Sequence, residues 1–484
     1  MKIINFRLVF HTLGIVLLFE SVFVLLSLLV TFIYHTNNFI PILSSFIITA
    51  ASGGLIIQFA DRKKSLKEAT IRDSFLIVCL SWVLISFFGT LPYLLSGEIS
   101  SFVNAYFESV SGFTTTGSSI LTNVEIISKD ILFWRSETHW IGGMGIILLA
   151  IAILPFFNLG GHRLFSSEGS NVSFEKIKPK VLSTVKRIWL IYIALTLAEI
   201  ILLTFSGMDL FDSICHSFST IATGGFSTKN TSLALYPPVI HYIVTVFMFL
   251  AGINFALHYF ALRGGISRVF RNEELRLYIL IILIATLTIA FILIKHGDGY
   301  EKSFRDSLFQ VVSIITCTGF TNTDYLQWPV HAWVLIFFIM FVGGCAGSAA
   351  GGIKIIRHLI VFKTIRNNIA RLLNPNRVIL LKYNNKPIEQ GAANSIMAYF
   401  FMYLFTFVFG SVVMVFSGLD LHSSMGSVIT TLGGIGPGIG SLGPAGNFHD
   451  ISVFGKYFLC LMMMLGRLEF YSLLIVIMPG FWRL

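Results

Sequence analysis

The chain has 484 residues, of which 55% are hydrophobic and 12% are charged, and its formal net charge is +10. A soluble protein carries about 25% charged residues, so the composition excludes a soluble globular protein and indicates a chain with many membrane spans. Most basic residues lie in loops between apolar runs, where membrane orientation places them. This distribution argues against a nucleic-acid-binding protein.

Apolar runs long enough to cross a bilayer recur along the chain in a constant arrangement. Two come first, at about 10–34 and 41–59, each near the roughly 20 residues that a spanning helix needs. Four similar units follow, each with a span, a short helix, a glycine-containing loop and a second span. The short helices cannot cross, so each unit leaves and returns on the same side, which makes the units parallel repeats. The predicted spans of the four units are 75–95 and 141–155, 188–205 and 239–262, 277–294 and one from about 332, and 393–416 and 457–479.

We therefore predict an all-α polytopic membrane protein with four parallel span–pore helix–filter loop–span repeats around one pore, plus two N-terminal spans. The predicted pore helices of repeats 2 to 4 lie at 211–221, 304–315 and 423–429. Basic residues concentrate between the repeats, so the positive-inside rule places that face and the N-terminus in the cytoplasm. The predicted boundaries are 1–68 for the N-terminal spans and 69–160, 161–270, 271–385 and 386–484 for repeats 1 to 4.

The four glycine loops share a register when they are aligned on Gly117, Gly225, Gly319 and Gly434. Backbone carbonyls inside a membrane are tolerated where they line a wet cavity, and rings of such carbonyls replace the water around a dehydrated cation. We interpret these loops as a cation filter, with the fourth loop as the most divergent. The alternative is four ordinary turns at the membrane surface. The predicted filter residues are Thr115, Thr116, Gly117, Thr223, Gly224, Gly225, Cys317, Thr318, Gly319, Leu432, Gly433 and Gly434.

A glycine-rich run interrupts the closing span of repeat 3 near mid-membrane. Glycine disfavours helix by about 1 kcal/mol relative to Ala, and an unwound segment at that depth must be buried in protein or line a cavity. We interpret it as a loop that closes the pore below the filter. The alternative is close helix packing through small residues. The run comprises Gly343, Gly344, Cys345, Ala346, Gly347, Ser348, Ala349, Ala350, Gly351 and Gly352.

Arg467 lies about ten residues inside the last predicted span. Ionisable residues at such depth usually face a cavity or a partner. A fixed positive charge beneath the filter would raise the barrier for cations, so we assign Arg467 to the gate. The alternative is a structural pair with a carboxylate, for which Glu469 is the near candidate. Two other polar residues, Glu137 and His139, are expected at the outer membrane interface.

The four filter glycines, the run from Gly343 to Ser348 and the motif Gly466-Arg467-Leu468-Glu469 resemble the Trk/Ktr/HKT superfamily of cation transporters over essentially the whole chain. The resemblance implies K⁺ as the transported ion, no bound cofactor and no nucleic-acid partner. It also implies a homodimer in the inner membrane, gated by a cytosolic ring of a TrkA-like nucleotide-binding protein.

Channel-like K⁺ uptake is therefore the predicted function, and a K⁺ carrier coupled to protons or sodium is the alternative. An intramembrane enzyme with Ser348 or Cys345 as nucleophile would need a base within hydrogen-bond reach. The nearest candidates, His258 and His358, are expected towards the cytoplasmic ends of their segments. We therefore do not expect an enzyme.

Overall fold

The computed structural model describes residues 4–60, 70–153, 180–375 and 379–482, and these are predominantly helical. The predicted boundaries after residues 68 and 160 lie outside the described residues. Seven described helices are long and apolar enough to cross a membrane, or eight if one bent helix pair counts as a span.

The two N-terminal spans are confirmed as α1 (Phe6–Tyr34) and α2 (Phe39–Phe59). They pack closely where two glycines meet, since a Cβ on Gly53 would lie 2.9 Å from the carbonyl oxygen of Gly14. Small residues of this kind let helix backbones approach each other in a membrane.

Repeats 1 and 2 follow the predicted order, with two differences in their closing spans. Repeat 1 consists of α3 (Ile71–Phe88), α4 (Leu91–Leu95), the pore helix α5 (Phe102–Phe113) and α6 (Lys129–Ile153). Repeat 2 consists of α7 (Lys180–Phe205), the pore helix α8 (Leu210–Ile221), α9 (Pro238–Ala251) and α10 (Phe255–Leu262), with the short α11 (Ile266–Phe270) after it.

The first difference is that α6 begins twelve residues before the predicted start at 141. Its early turns carry charged groups that are buried against protein instead of meeting lipid. Asp130, for example, accepts hydrogen bonds from Thr31 at 3.1 Å, Thr36 at 2.5 Å and the amide of Asn38 at 3.2 Å. Hydropathy alone therefore missed this half of the helix.

The second difference is that the predicted span 239–262 is not one helix. It breaks between α9 and α10, and the two parts are bent by 100°. The break is capped at its far side, where the Asn254 side chain accepts the N–H of Ala256 at 2.8 Å.

Repeats 3 and 4 complete the bundle. Repeat 3 consists of α12 (Glu273–Lys295), the pore helix α13 (Tyr300–Ile315), α14 (Val330–Ile339) and α15 (Ile355–Leu373). The chain between α14 and α15 is not helical, which confirms the predicted interruption. A hairpin of β1 (Lys382–Tyr383) and β2 (Lys386–Pro387) leads into repeat 4, whose helices are α16 (Gln390–Phe416), the pore helix α17 (Leu421–Gly433), α18 (Val453–Ile477) and α19 (Pro479–Trp482).

Candidate ion-conduction site

Four short helices point their C-terminal ends at the centre of the bundle. The pore helices α5 and α8 have 12 residues each, which corresponds to a length of about 18 Å. The hydrocarbon core of a bilayer is about 30 Å thick, so these helices must re-enter. Their negative dipole ends favour a cation where they meet.

Side-chain caps fix where two of these helices begin. Asp209 accepts the N–H of Phe211 at 3.1 Å, and Asp420 accepts the N–H of Ser423 at 3.1 Å. Hydrogen bonds from Ser423 hold the pKa of Asp420 below its ordinary value. An N-cap aspartate satisfies N–H groups that the helix cannot, so these caps help to define the depth to which each pore helix reaches.

The loop after each pore helix has the same unusual backbone in repeats 1 to 3. The first residue has positive φ, at 52° for Thr115 and 56° for both Thr223 and Cys317. Two residues later a glycine again has positive φ, and these glycines are Gly117 at 79°, Gly225 at 78° and Gly319 at 80°. L-residues with side chains avoid φ near 80°, and glycine does not.

The fourth loop adopts this backbone two residues later than the sequence alignment predicted. Its two positive-φ positions are Gly434 at 67° and Gly436 at 96°. Leu432 and Gly433 belong to the last turn of α17. The predicted alignment on Gly434 is therefore wrong, because α17 extends beyond the predicted end at 429 and Gly434 occupies the position of Thr115.

A shared hydrogen bond confirms the corrected register. We call the second positive-φ residue of each loop its closing glycine, and the four are Gly117, Gly225, Gly319 and Gly436. In each repeat, the residue before the closing glycine donates its N–H to the carbonyl five residues earlier. The four pairs are Thr116 to Ser111 at 2.9 Å, Gly224 to Ser219 at 2.8 Å, Thr318 to Ser313 at 2.8 Å and Ile435 to Thr430 at 2.9 Å. All four acceptor residues carry hydroxyl groups. We call the loops Thr115–Gly117, Thr223–Gly225, Cys317–Gly319 and Gly434–Gly436 central loops 1 to 4.

The central loops meet in a closed ring. A Cβ added to any closing glycine would overlap or crowd main-chain atoms of the next loop around the ring. The loosest of these contacts is at Gly436, where the added Cβ would lie 2.9 Å from the carbonyl oxygen of Thr116. This contact passes from loop 1 to loop 2, from 2 to 3, from 3 to 4 and from 4 back to 1. The carbonyl oxygens that meet the closing glycines belong to Gly224, Thr318, Ile435 and Thr116.

A buried ion pair joins the chain segments that follow central loops 1 and 2. Arg135 of α6 donates to Glu108 of α5 at 2.7 Å, and Glu108 also accepts the N–H of Ile120 at 2.9 Å. The same guanidinium donates to the carbonyl of Ser227 at 2.9 Å. Breaking a buried pair is costly because it leaves one charge uncompensated, so these residues support the shape of the ring.

The expected interfacial position of Glu137 and His139 is wrong. Both are buried, with 1% and 0% of their surface exposed. The His139 ring stacks on Phe226 with 4.0 Å between ring centroids, and its Nδ1 lies 3.3 Å from the Ser219 hydroxyl. His139 therefore packs behind central loop 2.

The glycine-rich loop Gly343–Gly352 lies directly against central loop 3 and the C-terminal end of the pore helix α17. A Cβ on Gly351 would overlap the carbonyl of Gly433 and lie 3.7 Å from the Cβ of Cys317. On its other side the loop contacts the break of repeat 2. There Cys345 donates its N–H to the carbonyl of Gly252 at 2.9 Å, and Phe255 donates to the carbonyl of Gly347 at 3.1 Å.

Arg467 reaches this loop from α18 and is itself 6% exposed. Its guanidinium donates to the carbonyl of Ala349 at 2.9 Å and to the carbonyl of Gly142 in α6 at 3.4 Å. The alternative partner Glu469 instead pairs with Arg357 at 2.8 Å. The structure therefore brings Arg467 together with the glycine-rich loop, and no salt bridge joins it to a carboxylate among the residues that the structure describes.

The helix α18 is interrupted just after Arg467. Glu469 has φ 58° and ψ 149°, which is not helical. This region of backbone space is essentially reserved for glycine, and a residue held there stores about 1–3 kcal/mol of strain. The ion pair with Arg357, whose guanidinium also lies 3.8 Å above the Tyr399 ring, accompanies this strained position.

The groups needed for a buried nucleophile are not brought together. The Ser348 hydroxyl donates to the carbonyl of Cys345 at 2.6 Å. His258 and His358 each have a ring nitrogen near a backbone carbonyl, that of Leu250 at 2.9 Å and that of Lys354 at 3.4 Å. Across the part of the chain that the structure describes, no three His, Cys, Asp or Glu side chains form a group that could hold a metal ion.

Four parallel re-entrant units around one glycine ring define the class of polytopic cation transport proteins. The sequence profile of the family described as TrkH, cation transport protein, matches residues 34–482. The Trk system potassium uptake protein TrkH of Salmonella typhimurium is 36% identical over 99% of this chain and 100% of its own length. Its counterpart in Escherichia coli strain K12 is 35% identical over the same shares. The crystal structure of the potassium transporter TrkH from Vibrio parahaemolyticus matches with a TM-score of 0.90 at 35% identity, over 99% of this chain and 100% of that one. The chain belongs to the TrkH family of cation transport proteins.

Proposed function

We propose that the chain mediates K⁺ uptake across the inner membrane through a channel-like pore. The observation that carries this proposal is the cyclic contact of four closing glycines with the carbonyls of the neighbouring loops. Carbonyl rings replace the hydration shell of a cation and so permit its entry. The relatives named as potassium uptake proteins, which match over their full length, support K⁺ as the ion.

The proposed filter consists of the four central loops, with Gly434–Gly436 in place of the triplet Leu432–Gly434. Each loop has one closing glycine, whereas dedicated K⁺ channels carry a longer Thr-Val-Gly-Tyr-Gly strip. A shorter strip provides fewer ordered sites. We therefore expect K⁺ to be preferred over Na⁺ more modestly than in such channels.

The proposed gate consists of the glycine-rich loop and Arg467, directly beneath the filter. The loop lies against central loop 3 and the end of α17, and Arg467 holds it through Ala349, where its positive charge would lie on the proposed path. A like charge in a region of low dielectric raises the barrier for a cation. Opening then requires the loop to move and the Arg467 contact to change.

The proposed assembly is a homodimer with its N-terminus in the cytoplasm and its central loops open to the outside. The basic residues between the repeats support this orientation by the positive-inside rule. The proposed regulator is a cytosolic TrkA-like nucleotide-binding ring, which the naming of the relatives as Trk system proteins supports. The repeats keep the proposed ranges 69–160, 161–270, 271–385 and 386–484.

A K⁺ carrier coupled to protons or sodium is the second candidate. The observation that favours it is Glu20 of α1, which is 1% exposed and whose carboxyl oxygens have no hydrogen-bond partner among the described residues. Intramembrane carboxyl groups form proton relays in pumps and transporters. Rubidium uptake into liposomes that contain the purified full-length protein separates the two candidates. A channel takes up rubidium in response to an imposed membrane potential without any accompanying flux of protons or sodium, whereas a coupled carrier moves protons or sodium in a fixed ratio to rubidium.

The filter assignment has its own matched pair of variants. Gly225 and Gly97 both have φ of 78°, so Ala creates the same backbone strain at each. A Cβ on Gly225 would overlap the carbonyl of Thr318, whereas at Gly97 no atom lies within 4 Å. Gly225→Ala is therefore expected to lower the preference of the flux for K⁺ over Na⁺, and Gly97→Ala to leave it unchanged. Equal preference in both variants contradicts the filter.

A further inference from the structure

One acidic side chain from a neighbouring span holds both ends of the glycine-rich loop. Glu274 is the second residue of α12 and is 2% exposed. Its Oε1 accepts the N–H of Ala346, inside the loop, at 2.6 Å, and the N–H of Ile356, at the start of α15, at 3.2 Å. These donors lie on opposite sides of Gly347–Gly352, so one carboxyl oxygen connects the two stems of the loop.

We propose that Glu274 is a latch, a positioning residue that keeps the glycine-rich loop in its closed place against central loop 3 and the end of α17. This proposal rests on the gating role proposed for the loop. The other hydrogen bonds of the loop with neighbouring elements include backbone hydrogen bonds to Gly252 and Phe255 and the Arg467 contact with Ala349.

The two stems of the loop are also hydrogen-bonded to each other near Glu274. Lys354, between the two donors, donates to the carbonyl of Ala350 within the loop. The stems also pair directly, since Gly343 donates to Ile353 at 2.9 Å and Ile355 donates to Gly344 at 3.1 Å. The stems therefore form a compact neck, and Glu274 ties that neck to α12. Loss of the carboxylate leaves the N–H groups of Ala346 and Ile356 buried without an acceptor, which disfavours the closed conformation.

The neighbouring acidic residue provides a matched control. Glu273 also lies in the first turn of α12, but its carboxylate pairs with Lys363 and its side chain is 30% exposed. No hydrogen bond or ion pair within the described residues joins the Glu273 side chain to Gly343–Gly352. Glu273→Ala removes the same atoms at the adjacent position and leaves the latch intact.

The native Cys345 reports directly on the loop. It is 0% exposed in the closed loop, and Cys79 and Cys460 are buried in α3 and α18. N-ethylmaleimide adducts at each cysteine of the full-length protein in liposomes can be counted by peptide mass spectrometry. We expect Glu274→Ala to raise labelling at Cys345 and leave labelling at Cys79 and Cys460 unchanged. We also expect basal rubidium uptake on the order of ten-fold higher, without a change in the preference for K⁺ over Na⁺.

Two conservative variants test the hydrogen bonds. Glu274→Gln retains an oxygen at the same distance and is expected to restore low labelling and low uptake. Glu274→Asp keeps the charge but is one methylene shorter, so it withdraws the oxygen from Ala346 and Ile356 and is expected to behave as Glu274→Ala. Glu274→Asp also provides the measurement if the alanine variant does not accumulate in the membrane.

The outcomes separate the latch from the gate. Unchanged labelling of Cys345 in both Glu274→Ala and Glu274→Asp overturns the latch, and so does a uniform rise at Cys79, Cys345 and Cys460, which indicates general unfolding. A Gln variant that is labelled as strongly as the Ala variant overturns the hydrogen-bond mechanism. Raised labelling at Cys345 with unchanged rubidium uptake supports the latch and overturns the gating role of the loop.

Discussion

Central loop 4 yields the sharpest prediction, because the sequence alignment makes Gly434 its closing glycine and the structure makes it Gly436. Gly434 and Gly436 are two residues apart, and either can be replaced by Ala. We expect Gly436→Ala to reduce the preference for K⁺ over Na⁺ strongly. Gly434→Ala is expected to leave that preference close to that of the parent.

The difference in magnitude follows from the backbone. Gly434 has φ 67° and ψ 45°, close to the left-handed helical well, where a side chain costs about 1–2 kcal/mol. Three residues with side chains, Thr115, Thr223 and Cys317, occupy the same position in the other loops at φ of 52–56°. A Cβ on Gly434 would also have no atom within 4 Å. The free-energy cost of Gly434→Ala is therefore expected to lower the stability of the fold and to leave the carbonyl ring unchanged.

Gly436 lies in a different environment. Its φ of 96° is outside that well, and a Cβ would lie 2.9 Å from the Thr116 oxygen and 3.2 Å from the Gly117 carbonyl carbon. A residue held in a sparsely populated region costs about 1–3 kcal/mol, which corresponds to about a 5-fold to 150-fold change in an equilibrium. The Cβ would crowd an oxygen that the ion would meet. We therefore expect the preference for K⁺ over Na⁺ to decrease by a factor within this range.

The assay is rubidium uptake into liposomes in competition with K⁺ or Na⁺, with both variants reconstituted at equal amounts. The ratio of the two inhibition constants measures selectivity independently of how much protein is active. If Gly434→Ala lowers that ratio as much as Gly436→Ala does, the register of central loop 4 is refuted.

Three further predictions concern the gate and the helix caps. Arg467→Ala is expected to raise basal cation flux because it removes a like charge and the Ala349 contact, and reduced flux at normal expression would indicate a purely structural role. Deletion of part of Gly343–Gly352 is expected to leave the pore more open, and a pore that stays closed in a potassium flux assay contradicts the gate. Asp420→Ala is expected to lower the stability of the protein in a thermal melt by about 1 kcal/mol, because Ser423 loses its cap, and Asp420→Asn is the control that retains it.

Elements with a simple physical signature could be predicted from the sequence. Spans such as α1, α12 and α16 are long apolar runs, and the interruption before α15 is a dense run of glycines. Arg467 stands out because a charge at that depth requires a partner or a cavity. That Arg467 would bind a carbonyl of the glycine-rich loop was predictable, whereas its second acceptor, the Gly142 carbonyl of α6, was not.

Elements whose polar groups are satisfied inside the protein could not be predicted from hydropathy. The first half of α6 carries Asp130 and Arg135, which meet α1, α5 and central loop 2 and not lipid. The bend between α9 and α10 contains no proline and only one glycine, so nothing in the sequence marks it. Its backbone bonds go to the glycine-rich loop, which is a contact between repeats.

The register of central loop 4 could have been found in the sequence. Counting six residues back from Gly436 reaches Thr430, which carries a hydroxyl as Ser111, Ser219 and Ser313 do, whereas counting from Gly434 reaches Val428. The extra turn of α17 hid this match, because Gly433 and Gly434 form the more conspicuous pair. The chemistry at the acceptor position was therefore a better guide than the glycines themselves.

The four closing segments explain why selection and control can occupy different levels of one pore. Close to the ring two of them are alike, because a glycine lets each approach a pore-helix end, Gly142 at the Phe113 carbonyl and Gly466 at the Leu432 carbonyl. Just beyond it the repeats diverge, since α6 continues as a helix, repeat 2 bends by 100°, repeat 3 becomes a loop and α18 is strained at Glu469.

This divergence fits a gate that is formed by a single repeat. Four identical closures would have to open together, whereas a single loop can move if its neighbours make room for it. The bend of repeat 2 supplies backbone partners for the loop, and the irregular turn of α18 lies next to Arg467, which contacts the loop. The proposed control therefore depends on the asymmetry of the closing segments, and the proposed ion selection depends on the symmetry of the central ring.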